Sequence, residues 1–306
     1  MRFLFVDRIL ELEKGKSAVG IKNVSFSDEY LVNIVPGFPV LPRSFTIEAI
    51  SQLISWLVIY TKDFAVKPVA VMTDSTKFSG DVRPGDQMLI KAEIKTLHDE
   101  DALCAGSVEV NGKVVSELEN GVCAFVPMEE LEYVEMVKKR AYSLVGSRDL
   151  QQFIAETDLS IGESGMFDND RHFDLNLVDK VLDLKVGDYI VGVKSMTMTE
   201  DFVVDHFPKR HVMPGTMIIE SLVHLAEKLI QETVKESTGT LIKILLKENR
   251  KIKFRKYVRP GDQIVMNLKL VDISDNAAFA KAKVTVENKL VTSAQMEFQI
   301  IKLYNN

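Results

Sequence analysis

HFPKRHVMPGTMIIE, residues 206–220, is the stretch on which the reading of this chain turns. His206 stands in a proline-marked loop, two residues before Pro208 and eight before Pro214. The Pro214-Gly215 pair breaks that loop and leads into TMIIESLVHLAEKLIQETV, an apolar run with helical spacing. Glu220 lies in that helix, fourteen residues after the histidine. A loop histidine and a helical carboxylate make an acid–base couple only if the fold brings them, or their counterparts, to one place.

The counterparts exist, because the chain is written twice. FVDRILEL at 5–12 returns as LVDKVLDL at 177–184, and KFSGDVRPGDQ at 77–87 returns as KFRKYVRPGDQ at 253–263. VNGKVVS at 110–116 returns as VENKLVT at 286–292. The first pair is offset by 172 residues and the later pairs by 176, so four residues are inserted near 232–251 relative to 60–75. So long a period excludes a solenoid unit and points to a duplicated domain. Each copy reads as an early strand with a Val-Asp motif, a second strand (SAVGIKNVSFS or DYIVGVKSMTMT) and a proline-bounded loop. One long apolar helix (SFTIEAISQLISWLVIY in the first copy) and three strands of period-two character then follow. RPGDQ is a turn: proline fixes φ, and glycine supplies the positive φ. The first helix is apolar nearly all round, which predicts burial. One buried helix on an antiparallel sheet is an α+β unit. The boundaries fall at 1–127 for the first copy, 128–170 for a connector and 171–306 for the second copy. Within the connector, MEELEYVEMVKKRAYSLV carries Leu131, Val134, Val137, Ala141 and Leu144 at helical spacing, with Glu135 and Lys139 as an i,i+4 pair. TDLSIGESGMFDNDR, 157–171, reads as exposed loop.

Bulk properties narrow the function. Apolar content of 46% and charged content of 27% are those of a soluble globular protein. A balance of 38 basic against 44 acidic side chains, net −6, argues against a general nucleic-acid binder. Cys104 and Cys123 lack metal or redox spacing and fall in strand-like stretches, as small buried apolar side chains do. The N-terminus lacks a signal-peptide core, and the apolar run at 44–60 is interrupted by Glu48 and Gln52. These features predict a cytoplasmic protein without a membrane segment.

HFP, VMPG and IIE, with RPGDQ following at the expected distance, resemble the signature of the β-hydroxyacyl-acyl-carrier-protein dehydratases of the FabA/FabZ type. Lys209 and His211 stand where that family usually has glycine and proline. The resemblance covers both copies and leaves out the connector. It implies a hot-dog fold, doubled here: two tandem repeats, each a long central helix wrapped by an antiparallel sheet, paired as a pseudo-dimer. Family members take the histidine of each site from one protomer and the carboxylate from the other. Carried onto this chain, the 172 offset sets His206 against Ile34, Gly215 against Arg43, Glu220 against Glu48 and His224 against Gln52. One crossed site then collects His206, Glu48, Gly215 and the supporting Gln52. The other collects Ile34, Arg43, Glu220 and His224, and is vestigial. The residues alone leave open a pairing of His206 with Glu220 inside the second copy.

Dehydration of a β-hydroxyacyl thioester needs a base for the α-proton, an acid for the departing hydroxyl and a donor to the thioester oxygen. His206 suits the first role. Glu48 suits the second if burial keeps it protonated. The Gly215 N–H at a helix start suits the third. No cofactor is implied, since the acyl chain arrives on the phosphopantetheine of an acyl carrier protein or on CoA, and no metal cluster is visible. Carrier proteins are acidic, so LLKENRKIKFRKYVRP at 245–260 is a candidate docking surface, with Lys251, Lys253, Arg255, Lys256 and Arg259 beside Lys247 and Arg250. The alternative is a solvated edge strand that uses charge against aggregation. Rival readings on the same fold are a thioesterase, a dehydratase that also isomerises, and a non-catalytic acyl-thioester-binding module. In this family the isomerising branch typically has aspartate at the glutamate position. Further association of the double unit into a homo-oligomer stays open.

Overall fold

The computed structural model describes residues 3–26, 28–34, 37–145, 177–200, 202, 205–238 and 241–303. The 157–171 stretch lies outside the described residues. In the first copy the strands are β1 (Arg8–Glu13), β2 (Ser17–Asn23), a small hairpin β3 (Val32–Asn33) and β4 (Pro39–Val40), then β5 (Val66–Phe78), β6 (Gln87–Leu97), β7 (Asp101–Val110) and β8 (Lys113–Pro127). The helix α1 (Arg43–Thr61) lies between β4 and β5. The connector holds α2 (Met128–Leu131) and α3 (Val134–Val145). The second copy has β9 (Lys180–Lys185), β10 (Tyr189–Ser195), α4 (Gly215–Thr238), β11 (Leu241–Phe254), β12 (Gln263–Ile273), β13 (Ala277–Val286) and β14 (Lys289–Leu303).

Twelve strands form one antiparallel sheet in the order β1-β2-β6-β7-β8-β5-β11-β14-β13-β12-β10-β9. Read from either edge, the order is the same for the two copies. The copies meet at β5 and β11, where Glu248 faces Lys77, Asn249 faces Thr76 and Lys253 faces Met72. This is the double hot-dog arrangement. Both helices lie inside the curl of the sheet, and Leu53, Leu57, Leu222 and Leu229 are fully buried in one shared core. Burying side chains of this size stabilises by roughly 1.5–3 kcal/mol each.

The two helices differ in how they end. In α1, Asp63 and Phe64 turn left-handed and the Phe64 N–H returns to the Ile59 carbonyl at 2.9 Å, which closes the helix. The second helix runs to Thr238, 24 residues against 19, and this extra turn is the insertion seen in the repeat offset. The RPGDQ turns are alike in both copies. Gly85 and Gly261 have φ of 96° and 97°, and the Asp86 and Asp262 carboxylates each accept the N–H of the arginine three residues earlier at 2.8 Å.

Three sequence expectations need correction. Four strands, not three, follow each helix, because 66–78 and 241–254 are strands in their own right. The basic run lies on β11, at the middle of the sheet rather than an edge, as far as Lys253, and Arg255, Lys256 and Arg259 follow in the loop after it. The connector is not one helix. It breaks at Glu132, whose backbone is extended because its buried carboxylate turns inward to Lys67 at 2.6 Å and Arg140 at 3.8 Å. Glu135 accordingly pairs with Lys138, at 3.0 Å, and not with Lys139. The apolar stripe stands: Leu131, Val137 and Ala141 are all buried.

Candidate active site

The starts of the two long helices cross, so each buried carboxylate meets the other copy. Glu48, 6% exposed, accepts hydrogen bonds from Gln52 Nε2 of its own helix at 2.9 Å and from Thr216 Oγ1 of the second copy at 2.7 Å. In mirror fashion Glu220 accepts a very short hydrogen bond from Ser44 Oγ of the first copy. Ser44 and Thr216 are 172 residues apart, the repeat offset, so a hydroxyl stands at this position in both copies. That recurrence was available in the sequence as a signal and was missed.

His206, Glu48, Gln52, Gly215 and Thr216 line one cavity of about 490 Å³. It runs between α1 and the sheet as far as Cys104, Leu118 and Cys123. Glu220 does not line it; Glu220, His224, Ile34 and Arg43 line a separate cleft of about 320 Å³. There Arg43, standing where the other copy has Gly215, spans to Asp81 at 2.7 Å and to the Leu246 carbonyl at 2.9 Å. His224 Nε2 lies 3.7 Å from Glu220 Oε1. The second copy's histidine and the first copy's carboxylate thus share a wall, while the histidine and carboxylate of the second copy do not.

The imidazole of His206 stacks on Phe207 with centroids 4.1 Å apart and meets the edge of Phe3 at 6.2 Å. Phe3 ties the two groups together: its carbonyl accepts from Gln52 Nε2 at 3.0 Å, and its N–H donates to Asp205 at 3.0 Å. Burial drives the His206 pKa down to about 3, helped by the nearby Lys67 ammonium and opposed by the carbonyls of His206 and Val212 and by Asp205. The ring is therefore neutral at physiological pH and able to accept a proton. Among the described residues, Nδ1 makes no well-formed hydrogen bond. Burial raises the Glu48 pKa, with Gln52, Thr216 and Lys67 pulling the other way. Since the Thr216 hydroxyl can accept as well as donate, Glu48 can hold its proton without losing this partner. Glu220 is raised by burial too, and His224 and Ser44 offset part of that.

Gly215 begins α4. The first N–H groups to find a carbonyl are those of Met217 and Ile218, both on Pro214, so among the described residues those of Gly215 and Thr216 are left unclaimed by the backbone. A Cβ at Gly215 would lie 2.6 Å from the ring of Phe254. Gly215→Ala should therefore displace the helix start, cost about 1–3 kcal/mol in stability and lower turnover, as thermal melting and initial rates would show.

The connector closes over this site. The Lys209 N–H bonds the Leu131 carbonyl at 2.9 Å, its ammonium reaches the Glu129 carbonyl at 3.0 Å, and it sits 4.3 Å from the Tyr133 ring centre. Leu131 packs with Phe207 and Val212 in a small cluster apart from the main core. The lysine that replaces the family's usual glycine thus clasps the histidine loop to the connector. Lys67, 5.4 Å from the Phe207 ring centre, is held from beneath by Glu132. Lys67 escaped notice in the sequence because its partner lies 65 residues on.

Of the basic run, Lys247 and Arg250 are taken up by Glu297 and Glu248. Lys251, Lys253, Arg255, Lys256 and Arg259 are exposed and have no carboxylate partner among the described residues. Arg255 and Lys256 line the His206 cavity. Among the described residues no cluster of metal-binding side chains occurs, and no helix is long and apolar enough to cross a membrane.

A family model described as the FabA-like domain matches residues 1–119 and again 170–295. The chain belongs to that family, with two copies in one polypeptide. A 3-hydroxyacyl-[acyl-carrier-protein] dehydratase FabZ of Streptococcus mutans is 40% identical over 124 residues, covering 40% of this chain and 86% of the relative. A FabZ of Clostridioides difficile is 33% identical over 126 residues, covering 41% and 87%. Among solved structures, the dehydratase domain of PpsC from Mycobacterium tuberculosis aligns over 98% of this chain and all of its own, with a TM-score of 0.56 and 10% identity. An acyl-ACP thioesterase from Bacteroides thetaiotaomicron aligns over 92% and 97%, with a TM-score of 0.51 and 9% identity. At such identities these two likenesses speak for the fold alone.

Proposed function

We propose that the chain is a hydro-lyase that converts β-hydroxyacyl thioesters, carried on acyl carrier protein, into trans-2-enoyl thioesters at one composite site. The carrying observation is that His206 and Gly215 of the second copy and Glu48 of the first line a single cavity, while Ile34, Arg43, Glu220 and His224 line another. The FabZ relatives, which act on carrier-bound 3-hydroxyacyl chains by name, support the choice of reaction.

Neutral His206 removes the α-proton. The Gly215 N–H, at a helix start whose dipole favours negative charge, bonds the thioester oxygen as charge builds there. Glu48, whose pKa burial raises, gives its proton to the β-hydroxyl, which leaves as water. The imidazolium then returns a proton to the carboxylate, directly or through that water. Gln52 orients Glu48. The second cleft is silent because Ile34 cannot accept a proton and Arg43 occupies the helix start. The test is to incubate the protein with a β-hydroxyacyl pantetheine thioester and follow the absorbance of the conjugated enoyl product. Release of free thiol without enoyl absorbance would replace this reading with thioester hydrolysis.

The pKa directions set the pH profile. Because His206 stays unprotonated down to about 3, kcat/KM should show no acid limb near the ordinary imidazole range of about 6–7. Its alkaline limb should follow loss of the Glu48 proton, above the ordinary carboxylate range. Stability follows the same groups. Below the ordinary 6.5 the unfolded chain binds a proton at residue 206 that the folded chain refuses until about 3. This group therefore costs stability progressively as pH falls through that window. Buried Glu48 acts in the opposite sense, costing stability as pH rises through its raised pKa.

Carrier docking falls to the unpaired cations beside the cavity mouth. Reversing charge at Arg255 and Lys256 together should raise KM for a carrier-bound substrate roughly tenfold. KM for a short pantetheine thioester should hardly move, and the difference should shrink at high salt.

A further inference from the structure

The seam between the two copies carries polar side chains that nothing in the reaction uses. Thr76 on β5 and Asn249 on β11 face each other in register across it. They are 1% and 2% exposed, and among the described residues neither Thr76 Oγ1 nor Asn249 Oδ1 has a hydrogen-bond partner. Both line the cavity that holds His206 and Glu48, and so does Ser55 of α1, whose buried Oγ is also unpartnered. Their neighbours on the cavity wall include Met72, Ile218, Ile219 and Ile252. The internal symmetry does not account for the pair. The equivalent place across the pseudo-dyad holds Thr73 opposite Ile252, and the Thr73 hydroxyl is satisfied by the Glu119 carbonyl at 3.1 Å. Unpaired hydroxyl and amide groups beside an apolar wall are costly, and a plain hydrocarbon chain in the cavity leaves that cost unrelieved, whereas an oxygen on the chain can bond them.

We propose that Thr76 and Asn249 form a polar subsite in the acyl cavity that receives an oxygen substituent, hydroxyl or keto, carried on the substrate chain beyond its reacting carbons. The inference rests on the dehydratase reading. The preferred substrate class is then an oxygenated chain rather than a plain fatty chain. The threonine hydroxyl can donate to a keto oxygen or accept from a hydroxyl, and the asparagine amide offers both functions as well. A site built to bond an oxygen discriminates against a chain that lacks one, since its own groups are then left unpaired.

The test compares β-hydroxyacyl pantetheine thioesters of one length, either plain or carrying a second hydroxyl or keto group at successive odd carbons. Substrates are presented to the parent protein, to Asn249→Leu and to Thr76→Val. The parent should favour one oxygenated chain by roughly 10- to 100-fold in kcat/KM. Each substitution should erase that preference by raising the rate on the plain chain, a gain that a misfolded variant could not show. Equal rates on plain and oxygenated chains by the parent would overturn the subsite and leave the dehydratase standing, whatever the variants do. So would a preference that survives both substitutions. Silence of the parent on every chain would overturn the reaction itself, and the subsite with it.

Discussion

His206→Ala and Glu48→Gln should each lower kcat by about 10²–10⁴-fold, while Glu220→Gln leaves most of the activity in place. The contrast follows from the crossing of the two helix starts. Glu48 and Glu220 are equivalent in the repeat, equally buried, and each is held by a hydroxyl of the other copy. They differ in what they face: Glu48 shares a cavity with His206, and Glu220 faces Arg43 and Ile34. Because the acid and the base serve the same turnover, the double variant should be scarcely slower than the worse single one. Steady-state rates on a β-hydroxyacyl thioester decide the matter. Should Glu220→Gln prove the more damaging glutamate substitution, the working site would lie within the second copy and the crossed assignment would be wrong.

Glu132→Ala should cost about 3–5 kcal/mol of stability, because it strands the largely covered Lys67 and Arg140 without their counter-charge. Glu132 and Lys67 are 2.6 Å apart with side chains 3% and 14% exposed, and Arg140 joins at 3.8 Å. The pair fastens the connector to the sheet beneath the histidine loop, so activity should fall along with stability. Replacing both partners at once, Lys67→Met with Glu132→Leu, should recover much of the loss, since neither charge then remains to be solvated. Denaturant unfolding measures both variants; a loss well under 1 kcal/mol for Glu132→Ala would show that Lys67 reaches solvent instead.

The parts of this fold that could be read in the sequence are those fixed by local chemistry and repeated. The Pro-Gly turns and the two long helices each follow from a few neighbouring residues, and the duplication reports each of them twice. The parts that could not be read depend on neighbours distant in sequence. The strand at 66–78 does not stand out in the sequence because Lys67, Thr73 and Thr76 break its apolar pattern. In the fold these side chains face a cavity rather than water, so polarity there marks an interior. The basic run suggested an edge strand, since like charges in a row favour solvent on all sides. What keeps it in mid-sheet comes from far away in sequence: Glu297 of β14, about fifty positions on, pairs with Lys247 and Arg250. The connector read as one helix because its apolar spacing is regular. Only the position of Lys67 explains why the backbone opens at Glu132. For the candidate site, the histidine, the carboxylate and the helix-start glycine stand out as residue types. The hydroxyls of Ser44 and Thr216 do not, because serine and threonine near a helix start have a commonplace capping role.

In an assembly of two identical chains, any substitution is made in both places at once, and a site can be lost only together with its twin. The covalent join through the connector, 128–170, and the seam between β5 and β11 remove that constraint. One groove can be refilled by an arginine while its opposite number keeps its glycine, and dilution cannot separate the acid from the base. A protein built this way can change the walls of each of its two chambers from either half independently, which two copies of one gene product cannot do.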